Sequence, residues 1–383
     1  MSLQLDEHRE YLSDRVRIGA FRRAIRETVR PGDVVVDLGA GTGILGMLAC
    51  QAGAERVYSI DAGGMAQLAR AVVESNRMDG RISVIKGLST RVSLPELADV
   101  VVADQIGRFG FDAGVFEYFS DANARLLKPG ARAIPSKIDL WVALVEHPVM
   151  WKRIDFWSHS PGGFEFGAAR SIAGNTGYPI RLQPRDLLGE PFSAASLDTL
   201  RQGSRPISFS GELIVSRAGT LHGIGGWFSA ILAPNVEMTN SPLVRQRINR
   251  RNVFFPISRP VAVLADDRVK ISFAILPKDL MVKWSVEIHA SSRHGVVKPI
   301  DRFSHSTFAG MLLSEEDMAR THPEFVPVIS KWGKARQTIL ELCDGHRTLK
   351  EIELGVLRHH PDLFSSQAEA ATFSAEVVTR YAL

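Results

Sequence analysis

The residues of this chain with types and spacing suited to chemistry begin in a glycine-rich turn, VVVDLGAGTGIL at 34–45. A valine run typical of a buried strand leads into Gly39, Gly41 and Gly43, and an apolar helical segment follows. Glycines there permit a sharp turn and let a ligand approach the backbone. The next strand-like segment, RVYSID, ends at Asp61, where a carboxylate accepts both hydroxyls of a ribose. The pattern predicts a nucleoside-binding crevice, and the alternative is a glycine-rich turn without a ligand.

Two nucleoside ligands fit this turn, a dinucleotide and S-adenosylmethionine. The dinucleotide pattern G-x-G-x-x-G is matched in letters by Gly41, Gly43 and Gly46. Asp37, however, precedes the first glycine at the end of the strand. A carboxylate at that point suits a ligand with a cationic amino acid portion better than it suits a pyrophosphate. The sequence therefore favours S-adenosylmethionine.

The elements that must position these residues alternate between strand and helix up to about residue 135. Apolar residues recur at helical spacing over 12–30, and further helices are predicted at 44–53 and 65–78. The predicted strands are 34–39, 56–61, 81–87 and 98–104. This alternation indicates βαβ units around a mostly parallel sheet, a Rossmann-like domain over 1–135.

The pattern changes after this domain. Short alternating or apolar runs separated by Gly, Pro, Asn and Ser predict an antiparallel β-domain over 136–314. Residues 315–383 become helical again and form a third predicted domain. The expected fold class is thus α/β followed by β, with a small C-terminal domain.

Composition narrows the class of protein. The 383 residues are 45% hydrophobic and 23% charged, with a net charge of +4, which is ordinary for a soluble globular protein. The small positive surplus does not argue for nucleic acid. Two cysteines, Cys50 and Cys343, are too few for a disulfide scaffold or a cysteine-based metal site, so no metal is expected. The polar first residues and the lack of a long apolar run predict a cytoplasmic protein without a signal peptide or membrane span.

From about His8 to Glu146, and more weakly to Ile288, the chain resembles the protein arginine methyltransferases. These are S-adenosylmethionine enzymes with a Rossmann-like domain followed by a β-barrel. The resemblance implies that Arg17 grips the cofactor carboxylate. It also implies dimers formed through an arm in the barrel domain, for which 165–188 is the candidate.

The resemblance implies further contacts with the cofactor. A histidine lies beside the adenosine, an acid and a glycine beside the methionine portion, an acid at the ribose, and hydroxyl residues where the family reads adenine with a glutamate. The implied cofactor set is His8, Arg17, Asp37, Gly39, Gly41, Gly43, Asp61, Ser89 and Thr90.

The loop after the predicted strand 98–104 departs from the family. The family has two glutamates there that bind and orient a guanidinium; the first falls on Asp104 and the second on Ala113, with Asp112 adjacent. A carboxylate near the acceptor holds it and takes its proton. Asp104 is the first catalytic candidate, because the end of a parallel strand faces the ligand crevice, and Asp112 is the second. A solvated loop acid is the alternative for Asp112.

The barrel segment also departs from the family. A threonine-histidine-tryptophan motif is expected just before NVFFPI, but the sequence reads RQRINRRNVFF. Four arginines stand in this stretch: Arg245, Arg247, Arg250 and Arg251. If the cluster lines the crevice, it attracts an acidic peptide or a phosphate, and it argues against a cationic acceptor. In most proteins such a cluster is a solvated face.

The C-terminal domain resembles the small PqqD-like winged-helix domains that capture leader peptides. The pattern falls on Leu342, Asp344, Gly345, Thr348, Glu351 and Ile352. Thr348 and Glu351 also form a capping-box signature. Such domains bind an extended peptide by adding a strand to a sheet edge. The alternatives are a helical cap that stabilises the barrel or a dimer, and, last, a DNA-binding winged helix.

Together these features predict a class I S-adenosylmethionine-dependent methyltransferase that acts on a side chain of a peptide or protein. The specific hypothesis is a tailoring enzyme for a ribosomally made peptide natural product, whose leader is held by the C-terminal domain. The first alternative is an arginine methyltransferase in which Asp104 and Asp112 act together. The second is a non-catalytic scaffold that keeps the cofactor.

Overall fold

The computed structural model describes residues 3–291 and 298–382. The chain divides into two compact units, Met1–Met311 and Leu312–Leu383. The larger unit contains one parallel sheet and two antiparallel sheets. None of the helices formed by the described residues has both the length and the apolar character needed to cross a membrane.

The parallel sheet has five strands in the order β3-β2-β1-β4-β5. They are β1 (Val34–Leu38), β2 (Arg56–Asp61), β3 (Ile82–Lys86), β4 (Ala98–Ala103) and β5 (Leu127–Ile134). Every residue of β1 is buried, as expected for a central strand covered on both faces. The sheet confirms the predicted Rossmann-like domain. Because β1 lies between β2 and β4, a ligand crevice is expected at the carboxyl ends of β1 and β4.

Five helices accompany this sheet. They are α1 (Leu3–Ser13), α2 (Arg15–Thr28), α3 (Ile44–Gln51), α4 (Met65–Ser75) and α5 (Val115–Arg125). The single helix predicted over 12–30 is interrupted at Asp14, whose side chain accepts a hydrogen bond from the Arg17 amide and caps α2. Aspartate at this position satisfies an amide that lacks a partner within the helix.

The antiparallel strands form two sheets. The first has the order β7-β12-β10-β6-β8, with β11 paired to β10, and the second has the order β15-β14-β13-β9. The strands are β6 (Lys137–Val145), β7 (Tyr178–Ile180), β8 (Phe192–Asp198), β9 (Ile207–Ile214), β10 (Gly219–Ala233), β11 (Val236–Thr239), β12 (Asn252–Val263), β13 (Arg268–Leu276), β14 (Met281–Ala290) and β15 (Lys298–Ser306).

These two sheets pack against each other through aromatic side chains. The Phe255 ring lies 5.4 Å from that of Phe273 and 5.2 Å from that of Trp284, measured between ring centroids. Trp284 also donates from Nε1 to the Pro256 carbonyl at 2.8 Å. No ladder joins the two sheets in the described residues, so the antiparallel prediction is confirmed and the predicted closed barrel is not.

A helical excursion separates β6 from β7. It contains α6 (Pro148–Asp155) and α7 (Gly167–Gly174), and a further short helix, α8 (Thr199–Gln202), follows β8. Four large apolar side chains of the excursion are exposed: Val149, Phe156, Phe164 and Phe166. The predicted arm at 165–188 overlaps this excursion, but it also includes β7, which pairs with β12 inside the sheet.

The smaller unit is helical and has its own core. Its helices are α9 (Glu315–Thr321), α10 (Lys331–Leu342), α11 (Leu349–His359) and α12 (Gln367–Tyr381). The predicted capping box is present at the start of α11, where the Thr348 side chain and the Glu351 side chain each bind the other residue's amide. The described part of this unit contains no strand. The winged-helix prediction therefore lacks its wing, which is a β-hairpin, and strand addition has no sheet edge to use here.

Candidate functional site

The glycine turn after β1 has the backbone geometry that only glycine adopts readily. Gly39, Gly41 and Gly43 have φ values of +66°, +55° and +80°. A Cβ atom on Gly41 would collide with the His8 ring, and one on Gly39 would collide with the Gln105 side chain. The turn is therefore a cradle whose open space depends on the absence of side chains.

Asp37 lies beneath this turn at the carboxyl-terminal part of β1 and is fully buried. Its Oδ2 accepts from the Gly46 amide at 3.0 Å, whereas Oδ1 has no hydrogen-bond partner among the described residues. Burial raises the pKa of Asp37 to about 7. When Asp37 is ionised, this buried oxygen is an acceptor that a ligand donor can satisfy.

Asp61 ends β2 next to the turn. Its two carboxylate oxygens accept from the Gly41 amide at 2.9 Å and from the Gly63 amide at 2.8 Å. Asp61 therefore supports the backbone of the turn, in addition to the ribose role that the resemblance implies. Ser89 and Thr90 belong to a short helical turn after β3, where the Ser89 carbonyl accepts from Arg125 at 2.8 Å.

A cavity of about 240 Å³, the glycine-turn cavity, lies above the cradle. Four of the predicted cofactor residues line it: His8, Arg17, Gly39 and Gly41. The other predicted residues are not in its wall: Asp37, Gly43, Asp61, Ser89 and Thr90. Tyr11, Asp104 and Gln105 are further parts of the wall.

A second cavity of about 400 Å³, the arginine cavity, adjoins the first. Five arginines contribute to its lining: Arg17, Arg108, Arg181, Arg250 and Arg251. Five acids also contribute: Glu7, Glu10, Asp14, Asp104 and Asp112. The cavity is thus balanced in formal charge. Asp104 lines both cavities, together with Tyr11, Arg17 and Ala113, and it is the one carboxylate that they share among the described residues.

Asp104 follows β4 and is 7% exposed. Its carboxylate forms an ion pair with Arg17 and a second with Arg250. Nη2 of Arg250 lies 3.2 Å from Oδ2 and Nη1 lies 3.4 Å from Oδ1, so the guanidinium spans both oxygens. This two-point contact is the geometry in which a carboxylate recognises a guanidinium.

Arg250 is held inside the arginine cavity with its side chain 12% exposed. Its Nη1 also donates to the Gly107 carbonyl at 3.3 Å. Burial lowers the pKa of Arg250, but the Asp104 carboxylate raises it together with Tyr11 and Asp112, and the net pKa is raised. The arginine stays charged, as any buried arginine with a carboxylate partner does.

One N–H group of the Arg17 guanidinium is not used by the pair with Asp104. Although Arg17 pairs with Asp104, its Nη1 is buried without a hydrogen-bond partner among the described residues. Together with Asp37 Oδ1, this gives one unsatisfied cationic donor and one unsatisfied anionic acceptor beside the glycine turn. An amino acid portion has a carboxylate and an ammonium that satisfy both. The residues present therefore fit the methionine portion of S-adenosylmethionine.

Asp112 has a structural task in the loop after β4. Its Oδ1 accepts from the amides of Arg108 at 2.7 Å and Phe109 at 2.8 Å. Gly107 has a φ of +81° and no room for a Cβ atom, because Asp112 lies against it. The carboxylate also lines the arginine cavity, as Asp104 does.

Tyr11 is a site residue that the sequence did not reveal. The Cζ atom of Arg17 lies 4.6 Å from the centre of its ring, and that of Arg250 lies 5.7 Å away. Its hydroxyl donates to Glu7 at 2.6 Å, and burial raises the pKa of Tyr11 to about 12. Its position could have indicated this role, because Tyr11 lies three residues after His8 and therefore on the same face of α1.

A buried asparagine ties the two loops of the arginine cavity together. Asn240 donates from Nδ2 to the carbonyls of Arg108 at 2.8 Å and Arg251 at 3.1 Å. Its Oδ1 accepts from the Phe228 amide at 3.0 Å. The loop after β4 and the segment before β12 are therefore fixed to one point of the antiparallel sheet.

A parallel sheet with a glycine cradle, next to two cavities that share one carboxylate, defines an S-adenosylmethionine-dependent methyltransferase. Residues 22–138 match the family described as Ribosomal protein L11 methyltransferase (PrmA). Protein arginine N-methyltransferase 6 of Xenopus tropicalis is 30% identical over 287 residues, which cover 71% of this chain and 84% of that protein. The chain belongs to the protein arginine methyltransferase family.

Solved structures agree on the fold. The chain is similar to the open conformation of protein arginine methyltransferase 10 from Arabidopsis thaliana, with a TM-score of 0.69, 24% identity, and coverage of 79% of this chain and 98% of that chain. A Trypanosoma brucei PRMT1 enzyme-prozyme heterotetrameric complex with AdoHcy also has a TM-score of 0.69, at 20% identity and 78% and 97% coverage.

Proposed function

We propose that this methyltransferase transfers a methyl group to an arginine guanidinium of a peptide or protein. The observation that carries the proposal is the Asp104–Arg250 contact, because it places a guanidinium on the carboxylate that separates the two cavities. The names of the relatives support the same acceptor, since each is called a protein arginine methyltransferase. This was the first alternative to the peptide-tailoring hypothesis, and it has the better support.

The cofactor residues follow from the unsatisfied atoms. Arg17 Nη1 holds the carboxylate of the methionine portion, and Asp37 Oδ1 accepts from its ammonium. Asp61 receives the ribose, and His8 lies beside the adenosine at the edge of the cradle. Ser89 and Thr90 receive the adenine. When bound, the cofactor supplies an electrophilic methyl group on a sulfonium sulfur.

Asp104 prepares the acceptor. Its carboxylate orients the substrate guanidinium through two N–H groups and accepts the proton that the methylated nitrogen loses. Positioning of this kind supplies much of the rate of a displacement reaction. Asp112 supports the loop that carries Asp104. Arg250 leaves Asp104 when the substrate guanidinium enters, because the two oxygens of a carboxylate can hold only one guanidinium in this two-point contact.

The test is methyl transfer to defined peptides with isotopically labelled cofactor, followed by fragmentation mass spectrometry. Peptides that contain a single Arg are compared with otherwise identical peptides that contain Lys or Gln. Label on the Arg nitrogen is the expected result. Label only on another residue type, with cofactor binding intact, would overturn the arginine assignment.

The C-terminal unit provides the observation for a second candidate, the tailoring of a ribosomally made peptide. It has an open groove of about 550 Å³ lined by Trp332, Phe364 and Phe373, with Glu369 and Glu376 beside them. Such a groove suits apolar side chains of a peptide leader that also carries basic residues. A PqqD-like role then depends on this groove, since no strand is described in the unit. Transfer to a precursor peptide that requires its leader would support this candidate over a general protein substrate.

The exposed apolar side chains of the α6–α7 excursion support a homodimer. Val149, Phe156 and Phe164 are 68%, 47% and 71% exposed, and a second subunit that packs on the excursion would bury these apolar side chains. Phe164→Glu is expected to convert the dimer to a monomer in light scattering. A dimer that survives this change would rule out the excursion as the interface.

A further inference from the structure

The mouth of the arginine cavity has a basic side whose charges are not compensated. Arg108 pairs with Asp112 and Arg250 with Asp104, whereas Arg181 and Arg251 form no ion pair with the described residues. Both of these arginines are exposed and both line the cavity. Among the described residues, neither ion pairing nor core packing therefore explains the position of these two arginines.

The backbone brings these two charges face to face. Strand β7 pairs with β12 in a register that sets Ile180 opposite Asn252. Extending this register by one residue beyond the last ladder pair sets Arg181, one residue after β7, opposite Arg251, one residue before β12. Like charges directly opposite each other on adjacent strands are destabilising.

A third arginine adds to this repulsion. Burial and the nearby Arg181 together lower the pKa of Arg247. Among the described residues, Arg247 donates to the Ser241 carbonyl at 3.3 Å, which contributes no negative charge. Arg181 therefore has a second cation near it, although Arg247 itself does not line the cavity.

The opposite side of the mouth is acidic, but its acids are engaged. Glu7 accepts from the Tyr11 hydroxyl at 2.6 Å. Asp14 caps α2 and accepts from the Asn249 amide at 2.6 Å. The exposed Glu10 is the remaining acid on this side. The positive charges of the mouth that lack an ion pair among the described residues, Arg181 and Arg251, therefore lie on the β7–β12 side, and the acids Glu7, Glu10 and Asp14 lie on and after α1.

We infer that Arg181 and Arg251 form a recognition site for acidic side chains that flank the methyl-accepting residue of the substrate. This inference rests on the proposed function for the identity of the acceptor. The acceptor guanidinium displaces Arg250 from Asp104, while a neighbouring Asp or Glu of the same peptide binds the two exposed arginines. The cavity accordingly selects a cationic acceptor in an acidic context.

The test uses the full-length protein with three peptides of equal length, each with one Arg flanked by Glu, Gln or Lys. Binding is measured by fluorescence anisotropy in the presence of S-adenosylhomocysteine, and methyl transfer is measured on the same peptides. The Glu peptide is expected to bind about tenfold more tightly than the Gln peptide at low salt, and the Lys peptide more weakly than either. The difference is expected to shrink at 0.5 M salt, because the charges at the mouth are exposed.

Charge reversal provides the matched comparison. Arg181→Glu and Arg251→Glu are each expected to remove the preference for the Glu peptide and to favour the Lys peptide. Arg245→Glu makes the same change of charge at an exposed position outside the cavity wall, and it is expected to keep the preference.

The outcomes separate this inference from the proposed function. Equal binding of the three peptides, or loss of the preference in Arg245→Glu to the same extent, would overturn the inference even if all three peptides are methylated. Tighter binding of the Glu peptide that is lost only in Arg181→Glu and Arg251→Glu supports the recognition site. If that binding pattern is present but no peptide receives a methyl group, the proposed acceptor is wrong and the recognition site stands.

Discussion

Asp104 is the residue on which both cavities depend. It binds Arg17, which lines both cavities, and Arg250, which lines the arginine cavity, and it is almost fully buried. Its single negative charge is shared between two buried cations. Its removal would therefore disturb both chemistry and stability, and an experiment on Asp104 must distinguish the two.

Asp104→Asn is expected to lower methyl transfer by at least about 100-fold, because an amide neither accepts the acceptor proton nor carries charge. Initial rates with labelled cofactor and an arginine peptide provide the measurement. The unpaired arginines are also expected to lower the melting temperature. Asp104→Glu keeps the negative charge and serves as the control for this loss of stability. Wild-type turnover in Asp104→Asn would exclude this residue as the group that binds the acceptor.

The pKa of Asp37 gives the cofactor site a defined pH dependence. Burial raises this pKa to about 7, so the carboxyl is mostly protonated at pH 6 and mostly ionised at pH 8. An ammonium group binds the ionised form, so Asp37 loses its proton when the ligand enters. Affinity for S-adenosylhomocysteine is expected to be constant above pH 7 and to fall by up to about tenfold per pH unit below it.

Isothermal titration across pH 5.5–8.5 measures this dependence. Asp37→Asn is the matched control, since an amide of nearly the same shape has no proton to lose in this range. Its binding is expected to be weaker at pH 8 and independent of pH. A pH profile of the same shape in Asp37→Asn would assign the titration to another group.

At the scale of residues, the sequence predicted what is local. The glycines and Asp37 were identified because strand, turn and helix are contiguous in the chain. The Asp104–Arg250 pair was not predicted, since 146 positions separate its partners and neither residue carries a local signature of the other. Arg250 was assigned to a cluster of four, but the structure divides the cluster: Arg250 and Arg251 line the cavity, and Arg245 and Arg247 do not.

At the scale of elements, two loops contribute Asp104, Asp112 and Arg250 to the arginine cavity, beside residues of α1 and α2. One follows β4 and carries Asp104 and Asp112, and the other precedes β12 and carries Arg250. Asn240 fixes both loops through hydrogen bonds to Arg108 and Arg251. The strands themselves were predictable from runs of β-branched residues, but the loops acquire their shape from these distant contacts.

Asn240→Ala is expected to raise the KM for a peptide several-fold and to lower the stability of the larger unit by about 1–3 kcal/mol, because it leaves the buried Phe228 amide without its acceptor and two carbonyls without their donor. Steady-state kinetics and urea denaturation provide the two measurements. Asn235→Ala, at an exposed turn residue, is the control and is expected to change neither. An unchanged KM for Asn240→Ala would show that the loops keep their positions without this asparagine.

At the scale of the whole molecule, the chain consists of two units with separate cores. The core of the smaller unit comprises Ala335, Ile339, Ile352, Val356, Phe364, Ala370 and Val377. The sequence predicted the helical character of this unit from its amphipathic periodicity and its capping box. It also predicted a winged helix, although the described part of the unit has no strand. The motif at 342–352 specifies only a turn and a helix cap, and these two features occur in folds whose other elements differ.

A chain that ends at Met311 is expected to keep its secondary structure and its affinity for S-adenosylhomocysteine, since both cavities belong to the larger unit. Circular dichroism and isothermal titration measure these properties. Transfer to short arginine peptides is expected to persist, whereas transfer to a substrate that binds the groove at Trp332 is expected to weaken. Unfolding of the shortened chain would instead identify the C-terminal unit as a structural cap.

The double engagement of Asp104 has a consequence for how the cofactor and the acceptor affect each other's binding. Arg17 and Arg250 both bind this carboxylate, so a substrate guanidinium competes with two intramolecular cations. A cofactor carboxylate at Nη1 of Arg17, which has no partner among the described residues, would compensate the charge of that arginine while it stays on Asp104. We therefore expect S-adenosylhomocysteine to tighten the binding of an arginine peptide, and equal peptide affinity with and without it would contradict this coupling.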